Sequence, residues 1–436
     1  KHRLRGGSRR VPVIDRMAPE AFWSLKMQHL VCGISSAGRV VPDVDGEPFL
    51  VEKAQGPYVW DQKGRRYADT ALGFGATFLG HTDPDVTEAV RVAMERGSMP
   101  AYAHALEEEA ASSLAAHTKD LSKVIFLNSG SEAVHLACRT ARAVTGRRKI
   151  VKMAAGYDGW FDDVAFGNAG SQEALMGSNV RPSNGDTLLL RFNDVADAEL
   201  LFSECNDVAA IVLEPMMANA GCVVAKPGYL EHVVSLARKR GALVIMDEVL
   251  MGFRLHPGLA SHHLGISPDL ATVGKAIGNG YAVAALVGHP DIMSAFEDKR
   301  VARAGTYNGN PVACAAVNAS MKVVDTIDYT ALRQAGDALR ETIRVSFEEN
   351  GADVVTSGYG TVFTLWSSRS APIDYREAVQ KADPSFSANM HIALRRAGVM
   401  SMFGTYGRHY ISARNSAPVM QQLAEGFASA AQQLAV

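Results

Sequence analysis

Two stretches of the chain decide the fold: Ala242-Leu-Val-Ile-Met-Asp-Glu-Val249 and, further on, Leu270-Ala-Thr-Val-Gly-Lys-Ala-Ile-Gly-Asn-Gly280. Each begins with a short, largely apolar run typical of a buried strand and passes directly into polar or small residues. Asp247 and Glu248 end the first run, and Lys275 follows the second among glycines. Ligands of a parallel sheet bind beyond the carboxyl ends of its strands. Both stretches are therefore predicted to contribute to one site.

The same alternation of apolar run and helix-like segment extends upstream. Strands alternating with helices favour an α/β fold with a mostly parallel sheet covered by helices on both faces. Residues 131–145 and 229–240 are predicted helices. The other runs predicted as strands of this sheet are residues 124–127, 149–153, 187–191 and 209–213.

The two ends of the chain have a different pattern. Residues before about 90 contain short hairpin-like segments, and residues after about 325 read as helices with a strand near 361–366. We therefore predict a large domain of residues 91–324. Residues 1–90 and 325–436 are predicted to form a smaller α+β domain together.

Composition excludes several classes of protein. The 436 residues are 47% hydrophobic and carry a formal net charge of −2, which gives no reason to expect binding to nucleic acid or to an anionic membrane. The basic segment of residues 1–10 has no apolar core behind it, so it does not resemble a secretory signal. Five cysteines are scattered without a CxxC pair, which disfavours a zinc site or a disulfide framework and favours a cytoplasmic protein.

Four polar motifs follow predicted strands. Asn128-Ser-Gly-Ser-Glu-Ala133 opens a helix, where backbone N–H groups and the helix dipole favour an anion; a plain helix cap is the alternative. Asp247 at the end of a buried strand requires a cationic partner, such as a metal or a protonated ring nitrogen, unless it caps a helix. Lys275 among small residues suits Schiff-base chemistry, although solvated lysines are far more common. Gly305-Thr-Tyr-Asn-Gly-Asn-Pro311 is a loop rich in hydroxyl and amide donors.

In this order, the four motifs resemble the class III aminotransferases, which are pyridoxal 5′-phosphate (PLP) enzymes of fold type I. The branch of glutamate-1-semialdehyde aminomutases and β-amino-acid aminotransferases is the most similar. Further motifs of the family occur in the family's order, so that the resemblance spans roughly residues 40–320. They are Gly56-Pro-Tyr-Val-Trp-Asp61 with Asp69, Leu79-Gly-His-Thr-Asp-Pro84, Tyr157-Asp-Gly159 and Glu214-Pro215.

The resemblance implies a role for each candidate residue. Lys275 would carry PLP as a Schiff base and move the Cα proton, and Asp247 would keep the pyridine nitrogen protonated. Tyr157 and Val249 would lie against the two faces of the ring, and Glu214 near its O3′ side; core packing is the alternative for Tyr157 and Val249. The phosphate would be bound by Ser129, Gly130 and Ser131 and, from the neighbouring subunit of a homodimer, by Thr306.

Arg39 lies where this branch of the family carries an arginine that binds the substrate carboxylate, and a guanidinium fork suits that task. An ordinary surface arginine is the alternative. Two departures from the family stand out. The usual Tyr-His-Gly is Tyr157-Asp158-Gly159 here, and Asp158 is expected in a solvated loop or, alternatively, to attract a cationic amine. Gly404 stands after Phe403, where the aminomutase has a glutamate.

The function that the resemblance implies is transfer of an amino group from an amine or an ω- or β-amino acid to a keto acid, pyruvate or 2-oxoglutarate. An aminomutase, which moves the amino group within one molecule, is the alternative. A binding protein without catalysis is disfavoured because both Lys275 and Asp247 are present. A metal hydrolase built on Asp247 and Glu248 is disfavoured because no histidine cluster accompanies them. Arg408 is expected either to receive the second carboxylate of a keto acid or to lie on the surface.

Overall fold

The structure of the protein is a computed structural model, and it describes residue 27, residues 29–176 and residues 183–434. Within these ranges, no helix has the length and apolar character needed to cross a lipid bilayer. The five cysteines, all within these ranges, are free thiols.

Seventeen strands form four sheets in the described residues. In chain order they are β1 (Val51–Gln55), β2 (Tyr58–Asp61), β3 (Arg66–Asp69), β4 (Lys123–Leu127), β5 (Lys149–Met153), β6 (Ser183–Asn184), β7 (Thr187–Leu190), β8 (Val208–Leu213), β9 (Met216–Met217), β10 (Val223–Val224), β11 (Leu243–Asp247), β12 (Leu270–Val273), β13 (Ala284–Gly288), β14 (Val355–Tyr359), β15 (Val362–Trp366), β16 (Val399–Met400) and β17 (Arg408–Tyr410).

Fourteen α-helices accompany them in the same part of the chain, and three of these are single turns of four residues. They are α1 (Leu72–Gly75), α2 (Pro84–Arg96), α3 (Ala105–Ala115), α4 (Gly130–Thr145), α5 (Asp162–Ala165), α6 (Val195–Glu204), α7 (Tyr229–Lys239), α8 (Ala260–His263), α9 (Pro290–Glu297), α10 (Pro311–Val324), α11 (Tyr329–Glu349), α12 (Tyr375–Lys381), α13 (Pro384–Arg396) and α14 (Ala417–Leu434).

The central sheet has eight strands in the order β4-β13-β12-β11-β8-β5-β7-β6. The neighbours from β12 to β7 pair in parallel, whereas β13 and β6 run antiparallel to the strands beside them. Alternate residues of β8 face opposite sides: Ala210 and Val212 pack in one hydrophobic cluster, and Ile211 and Leu213 in the other. Because both faces of the strands are covered, they read as continuous apolar runs in the sequence. The predicted α/β fold with a mostly parallel sheet is therefore confirmed.

The predicted elements agree with the structure to within one residue at each end. The strand predicted at residues 149–153 is β5, and the helices predicted at 131–145 and 229–240 are α4 and α7. Asp247 is the last residue of β11 rather than the first residue after it. The difference is one residue. Because Asp247 belongs to the strand, its backbone is held within the sheet by pairing with Thr272.

Both ends of the chain contribute to the smaller part of the molecule. β1, β2 and β3 form an antiparallel meander, and β16 from the C-terminal part pairs in parallel with β3. A separate sheet consists of β14, β15 and β17. A small α+β unit is thus built from both chain ends, as the pattern of the sequence predicts. The boundaries proposed at residues 90 and 324 stay a prediction.

Candidate active site

A cavity of about 290 Å³ lies at the carboxyl ends of the parallel strands. Its walls come from the segments that follow β4, β5, β8, β11 and β12, which is where ligands of such sheets bind. Eight of the ten predicted site residues line it: Ser129, Gly130, Ser131, Tyr157, Glu214, Asp247, Val249 and Lys275. Arg39 and Thr306 do not. Segments far apart in the sequence therefore meet at one place, as the sequence predicts.

The loop from Asn128 to Ser131 places the start of α4 at the cavity. Ser129 caps the helix by accepting a hydrogen bond from the Glu132 N–H (3.3 Å), and the Glu132 carboxylate in turn accepts from the Asn128 N–H (2.9 Å). This capping box leaves the N–H groups of Gly130 and Ser131, the first two of α4, without a carbonyl acceptor in the helix. Together with the helix dipole, such groups favour an anion.

Close packing explains one glycine of this loop, Gly130, and another, Gly159, that follows β5 and lies against the loop. A Cβ added to Gly130 would lie 2.8 Å from Cγ1 of Val249, and one added to Gly159 would lie 2.9 Å from Oγ of Ser131. Gly159 also has a φ of +120°, which side chains rarely adopt. The absence of side chains at these two glycines keeps the α4 terminus open to the cavity.

Asp247 is buried with one oxygen anchored and the other turned toward the cavity. Its Oδ1 accepts hydrogen bonds from the Val249 N–H (2.9 Å) and from the Thr272 hydroxyl (3.1 Å). In the described part of the chain, Oδ2 accepts no hydrogen bond. Burial and the nearby charge of Asp158 raise the pKa of Asp247 to about 7. A cationic group at the cavity would restore the ionised form.

Glu248, the neighbouring carboxylate, has a different partner. Its oxygens accept from the backbone N–H groups of Ala260 (2.9 Å) and Ser261 (2.6 Å) at the start of α8. It does not line the cavity. Asp247 and Glu248 therefore do not act as a pair of ligands at one centre. In the described residues, no group of three or more histidine, cysteine, aspartate or glutamate side chains is arranged to hold a metal.

Lys275 follows β12 and begins a short 3-10 helix, Lys275–Ile277. Its φ of +46° lies in the left-handed region, where a residue with a side chain costs of order 1–3 kcal/mol and occurs most often at functional sites. Burial, followed by the charges of Arg408 and Arg254, lowers the pKa of its ammonium group to about 7. A large share of Lys275 is therefore a neutral amine near neutral pH, the form that acts as a nucleophile or a base.

Glu214 and Tyr157 meet at another wall of the cavity. Glu214, directly after β8, accepts a hydrogen bond from the Tyr157 N–H (3.3 Å). Burial raises the pKa of Glu214 well above its ordinary value, and the charges of Asp158 and Asp247 add to this effect. The ring of Tyr157 is 47% exposed, so plain core packing does not explain it.

Asp158 corrects an expectation from the sequence. It was expected in a solvated loop, but only 2% of its surface is exposed and it lines the cavity. Its Oδ2 lies 3.4 Å from the Nζ of Lys152, a fully buried lysine in β5. Asp162, four residues later, is exposed, and Asp163 pairs with Arg142. Only the first carboxylate of this acidic stretch therefore belongs to the site.

Arg408 is buried beside the cavity, so the surface position considered for it is wrong. Its guanidinium donates to the backbone oxygen of Ala218 (3.2 Å), to Oδ1 of Asn219 (2.8 Å) and to the hydroxyl of Tyr410 (2.9 Å). Asn219 lines the cavity. All three acceptors are neutral, and among the described residues no carboxylate lies within 4 Å of the guanidinium.

Arg39 and Thr306 lie outside the cavity in the single chain. Arg39 is exposed at the end of a 3-10 helix, Ala37–Arg39, and Thr306 is exposed in the loop before α10. The same loop does reach the site, because the amide of Asn128 donates to Oδ1 of Asn308 (2.9 Å). The roles predicted for Arg39 and Thr306 stay predictions.

Asn219 and Lys152 are among the residues of this region that are not predicted from the sequence. Asn219 lines the cavity from a short 3-10 helix, Ala218–Ala220, and no motif marks it. Lys152 lies within a segment that the sequence predicts as a buried strand. A lysine in the middle of an apolar run is itself a signal, because a buried ammonium requires acceptors and a counter-charge.

The site has the features that a phosphate-bearing pyridine cofactor requires. The free N–H groups at the start of α4 suit a phosphate, the open oxygen of Asp247 suits a protonated ring nitrogen, and the depressed pKa of Lys275 suits an aldehyde. With the fold, these features define a PLP-dependent enzyme of fold type I.

Comparison with known proteins identifies the family. Residues 41–359 match the model of the class-III aminotransferases, so the chain belongs to this family. A relative from Methanothrix thermoacetophila, a glutamate-1-semialdehyde 2,1-aminomutase, is 33% identical over 91% of this chain and 92% of its own length. An ω-transaminase structure from Sphaerobacter thermophilus has a TM-score of 0.84 at 26% identity, covering 97% of this chain and 98% of that one. Another structure, described as a transaminase with PLP bound, has a TM-score of 0.83 at 26% identity, with 95% and 97% covered. PLP is therefore the cofactor of this enzyme.

Proposed function

We propose that the enzyme transfers an amino group from an amine or an ω- or β-amino acid to a keto acid, pyruvate or 2-oxoglutarate. The observation that carries this proposal is the meeting of Lys275, Asp247 and the start of α4 in one cavity, with the buried Arg408 beside it. The first three supply the chemistry of amino transfer, and the guanidinium supplies a place for a carboxylate.

PLP would be held through its phosphate by the N–H groups and hydroxyls of Ser129, Gly130 and Ser131. Asp247 would bind the ring nitrogen, while Tyr157 and Val249 would lie against the faces of the ring. Glu214 would lie on the O3′ side, kept in place by the Tyr157 N–H. When bound, PLP supplies an electron sink that stabilises negative charge at the carbon next to the amino group.

Lys275 performs two tasks in this proposal. As a neutral amine it would hold the cofactor covalently, and when free it would take and return the proton at the donor's amino-bearing carbon. A pKa of about 7 suits both tasks, because the amine is available as a base and its conjugate acid still returns a proton. Asp247 keeps the ring nitrogen protonated and so maintains the electron sink.

Arg408 is the proposed receptor for the second carboxylate of a keto acid, which 2-oxoglutarate has and pyruvate lacks. All hydrogen-bond partners of this buried guanidinium are neutral, so its positive charge is not balanced within the described residues. A substrate carboxylate would balance the charge and accept two hydrogen bonds. An amine donor lacks such a carboxylate and would occupy the same cavity without this contact. The proposed site thus accommodates both half-reactions of a transamination.

The aminomutase is the second candidate, and the 33% identity to a glutamate-1-semialdehyde 2,1-aminomutase favours it. Gly404 argues against it. The family resemblance implies a glutamate after the phenylalanine equivalent to Phe403 in the aminomutase, where a carboxylate would help to retain a doubly aminated intermediate. Gly404 has no side chain, and a Cβ placed there meets nothing within 4 Å. Gly404 does not line the cavity of this chain, and the reaction catalysed distinguishes the two candidates directly.

The deciding experiment supplies two kinds of substrate to the purified holoenzyme. Glutamate-1-semialdehyde without an acceptor is tested for formation of 5-aminolevulinate, and a panel of amines and β-amino acids with pyruvate is tested for alanine. We expect alanine from at least one donor. Efficient formation of 5-aminolevulinate with no alanine from any donor would establish the aminomutase instead. An Arg408→Gln variant should raise the KM for 2-oxoglutarate, whereas Arg408→Lys should recover part of the loss.

The active unit is proposed to be a homodimer in which Thr306 of one subunit contacts the phosphate bound to the other. The exposed position of Thr306, in a loop that reaches Asn128, supports this. Sedimentation of the holoenzyme at micromolar concentration should give twice the 46.7 kDa chain mass or a multiple. A fully active monomer would contradict it.

A further inference from the structure

A buried ion pair at the cavity has no place in the reaction proposed above. It joins Lys152 in β5 to Asp158, with 3.4 Å between Nζ and Oδ2. The side chains are 0% and 2% exposed. Buried ion pairs are costly to form, and replacing one with apolar residues of similar volume is often neutral or stabilising. Stability of the fold therefore gives no reason for this pair.

Lys152 is held in one position by neutral groups. Its ammonium donates to the backbone oxygens of Gly156 (2.9 Å) and Val164 (2.6 Å) and to Oδ1 of Asn168 (2.7 Å). These three bonds use its three N–H groups but do not neutralise its charge. Among the described residues, Asp158 is the one carboxylate within 4 Å of Nζ. Lys152 and Asp158 therefore interact through their opposite charges and not through a hydrogen bond.

Asp158 shares the cavity with two other carboxylates, Glu214 and Asp247. A Cβ on Gly156 would lie 3.2 Å from Oδ2 of Asp158 and 3.4 Å from Oε1 of Glu214, so both oxygens flank the same glycine. Oδ2 of Asp158 accepts no hydrogen bond in the described part of the chain. Carboxylates gathered in a buried site repel one another, and each resists losing its proton.

We propose that Lys152 and Asp158 are a positioning pair: Lys152 balances the charge of Asp158, so that Asp247 stays ionised and available to the ring nitrogen of PLP. The inference rests on the proposed cofactor site but not on the proposed substrates. It also gives a reason for Lys152 in a chain that has Tyr157-Asp158-Gly159 where the family has Tyr-His-Gly, because a buried aspartate in the cavity of Asp247 requires a counter-charge.

The pKa shifts agree in direction with this arrangement. Burial raises the pKa of Asp158 and Lys152 opposes the rise, whereas burial and the charge of Asp158 both raise the pKa of Asp247. Burial lowers the pKa of Lys152, and the charge of Asp158 opposes this. The titratable and charged groups that act on these carboxylates come from several elements: Lys152 of β5, Cys138 of α4, Tyr157 beside Asp158, Glu214 after β8, Asp247 of β11 and Lys275 after β12.

The test measures the affinity of the apo-protein for PLP as a function of pH, without any amino donor. Affinity should fall on the acid side as Asp247 becomes protonated, and the midpoint of that fall is the quantity of interest. In Asp158→Asn the like charge is gone, so the midpoint should move to lower pH. In Lys152→Met the counter-charge is gone, so it should move to higher pH. A shift of about one pH unit corresponds to a tenfold change in Kd on the acid side.

The double variant Lys152→Met/Asp158→Asn separates charge from packing. It removes both charges, so its midpoint should return close to that of the wild type. A role in packing alone would leave the double variant at least as impaired as Lys152→Met. Lys149→Met is the matched control: the same substitution in the same strand, at a partly exposed lysine that does not line the cavity. Its midpoint should not move.

Two results would overturn the inference. One is an Asp158→Asn midpoint that is unchanged or higher, and this variant alone decides the matter if Lys152→Met does not fold. The other is a double variant that behaves like Lys152→Met. Failure of the proposed cofactor site would show differently, as no binding of PLP by the wild type. Failure of the proposed substrates would leave all of these titrations unaffected.

Discussion

Replacing Asp247 by asparagine tests the electrostatic part of the site with little change of shape. The amide oxygen of an asparagine still accepts from the Val249 N–H and the Thr272 hydroxyl, now 2.9 and 3.1 Å from Oδ1. What is lost is the negative charge on the side of the cavity. A unit charge about 4 Å from its partner at an effective dielectric constant near 20 is worth about 4 kcal/mol, or roughly a thousandfold in rate.

That magnitude is an upper value for this residue. Because the pKa of Asp247 is about 7, part of the population is protonated near neutral pH before the cofactor supplies a cation. We therefore expect a loss of roughly 100- to 1,000-fold in the rate of the first half-reaction, with PLP still bound. The assay is single-turnover absorbance after mixing holoenzyme with an amino donor.

Thr272→Val is the matched control, since it removes one hydrogen bond to the same carboxylate and keeps its charge. A hydrogen bond from a neutral donor to a charged group contributes roughly 1.5–3 kcal/mol at most. The rate of the first half-reaction in this variant should therefore fall by about 10- to 100-fold or less. If Asp247→Asn turns over within tenfold of the wild type, or no slower than Thr272→Val, the aspartate has only a structural role.

Three further predictions concern single residues. Lys275→Ala should abolish the covalent link to the cofactor that borohydride reduction makes permanent in the parent, and peptide mapping that labels another lysine would refute the site. Arg39→Ala should raise the KM of carboxylated donors by about 30- to 1,000-fold and leave simple amines nearly unchanged; equal effects on both would make it a surface arginine. Burial lowers the pKa of His391 to about 4, so the wild type should lose roughly 2 kcal/mol of stability from this group as the pH falls from 6.5 to 5. His391→Asn lacks this loss, and denaturant titration at pH 7 and pH 5 should show its stability relative to the wild type improving on acidification; a constant difference would refute the assignment.

The sequence predicts the central sheet well because each strand is buried on both faces and is followed by a polar motif. The strand that ends at Asp247 and the loop that opens α4 are recognisable for this reason, and both reach the cavity. In each case the polar motif directly follows the strand in the sequence, so the local sequence pattern is sufficient to locate both.

Residues without a local pattern are not predicted. Arg408 lies in a three-residue strand of the small sheet, and only its contacts with Ala218 and Asn219 reveal that it is buried beside the cavity. Asp158 looks like part of a solvated acidic loop, because the sequence does not show that Lys152 lies beside it. In both cases the burial of a charge depends on a partner that is distant in the sequence or on another strand.

The protonation state of each titratable group at this site depends on the charges of the groups around it. The pKa of Lys275 is brought to about 7 by burial and then by Arg408 and Arg254, and that of Asp247 reaches about 7 by burial and then by Asp158. Two groups that titrate in the same range and act on each other give macroscopic transitions that belong to neither alone. A pH–rate profile of the wild type therefore cannot assign its acid side to Asp247. The assignment requires a substitution that changes the pKa of Asp247 and leaves that of Lys275 unaltered. Asp158→Asn is such a substitution, because it removes a charge that raises the pKa of Asp247, while Arg408 and Arg254, whose charges lower the pKa of Lys275, are both kept.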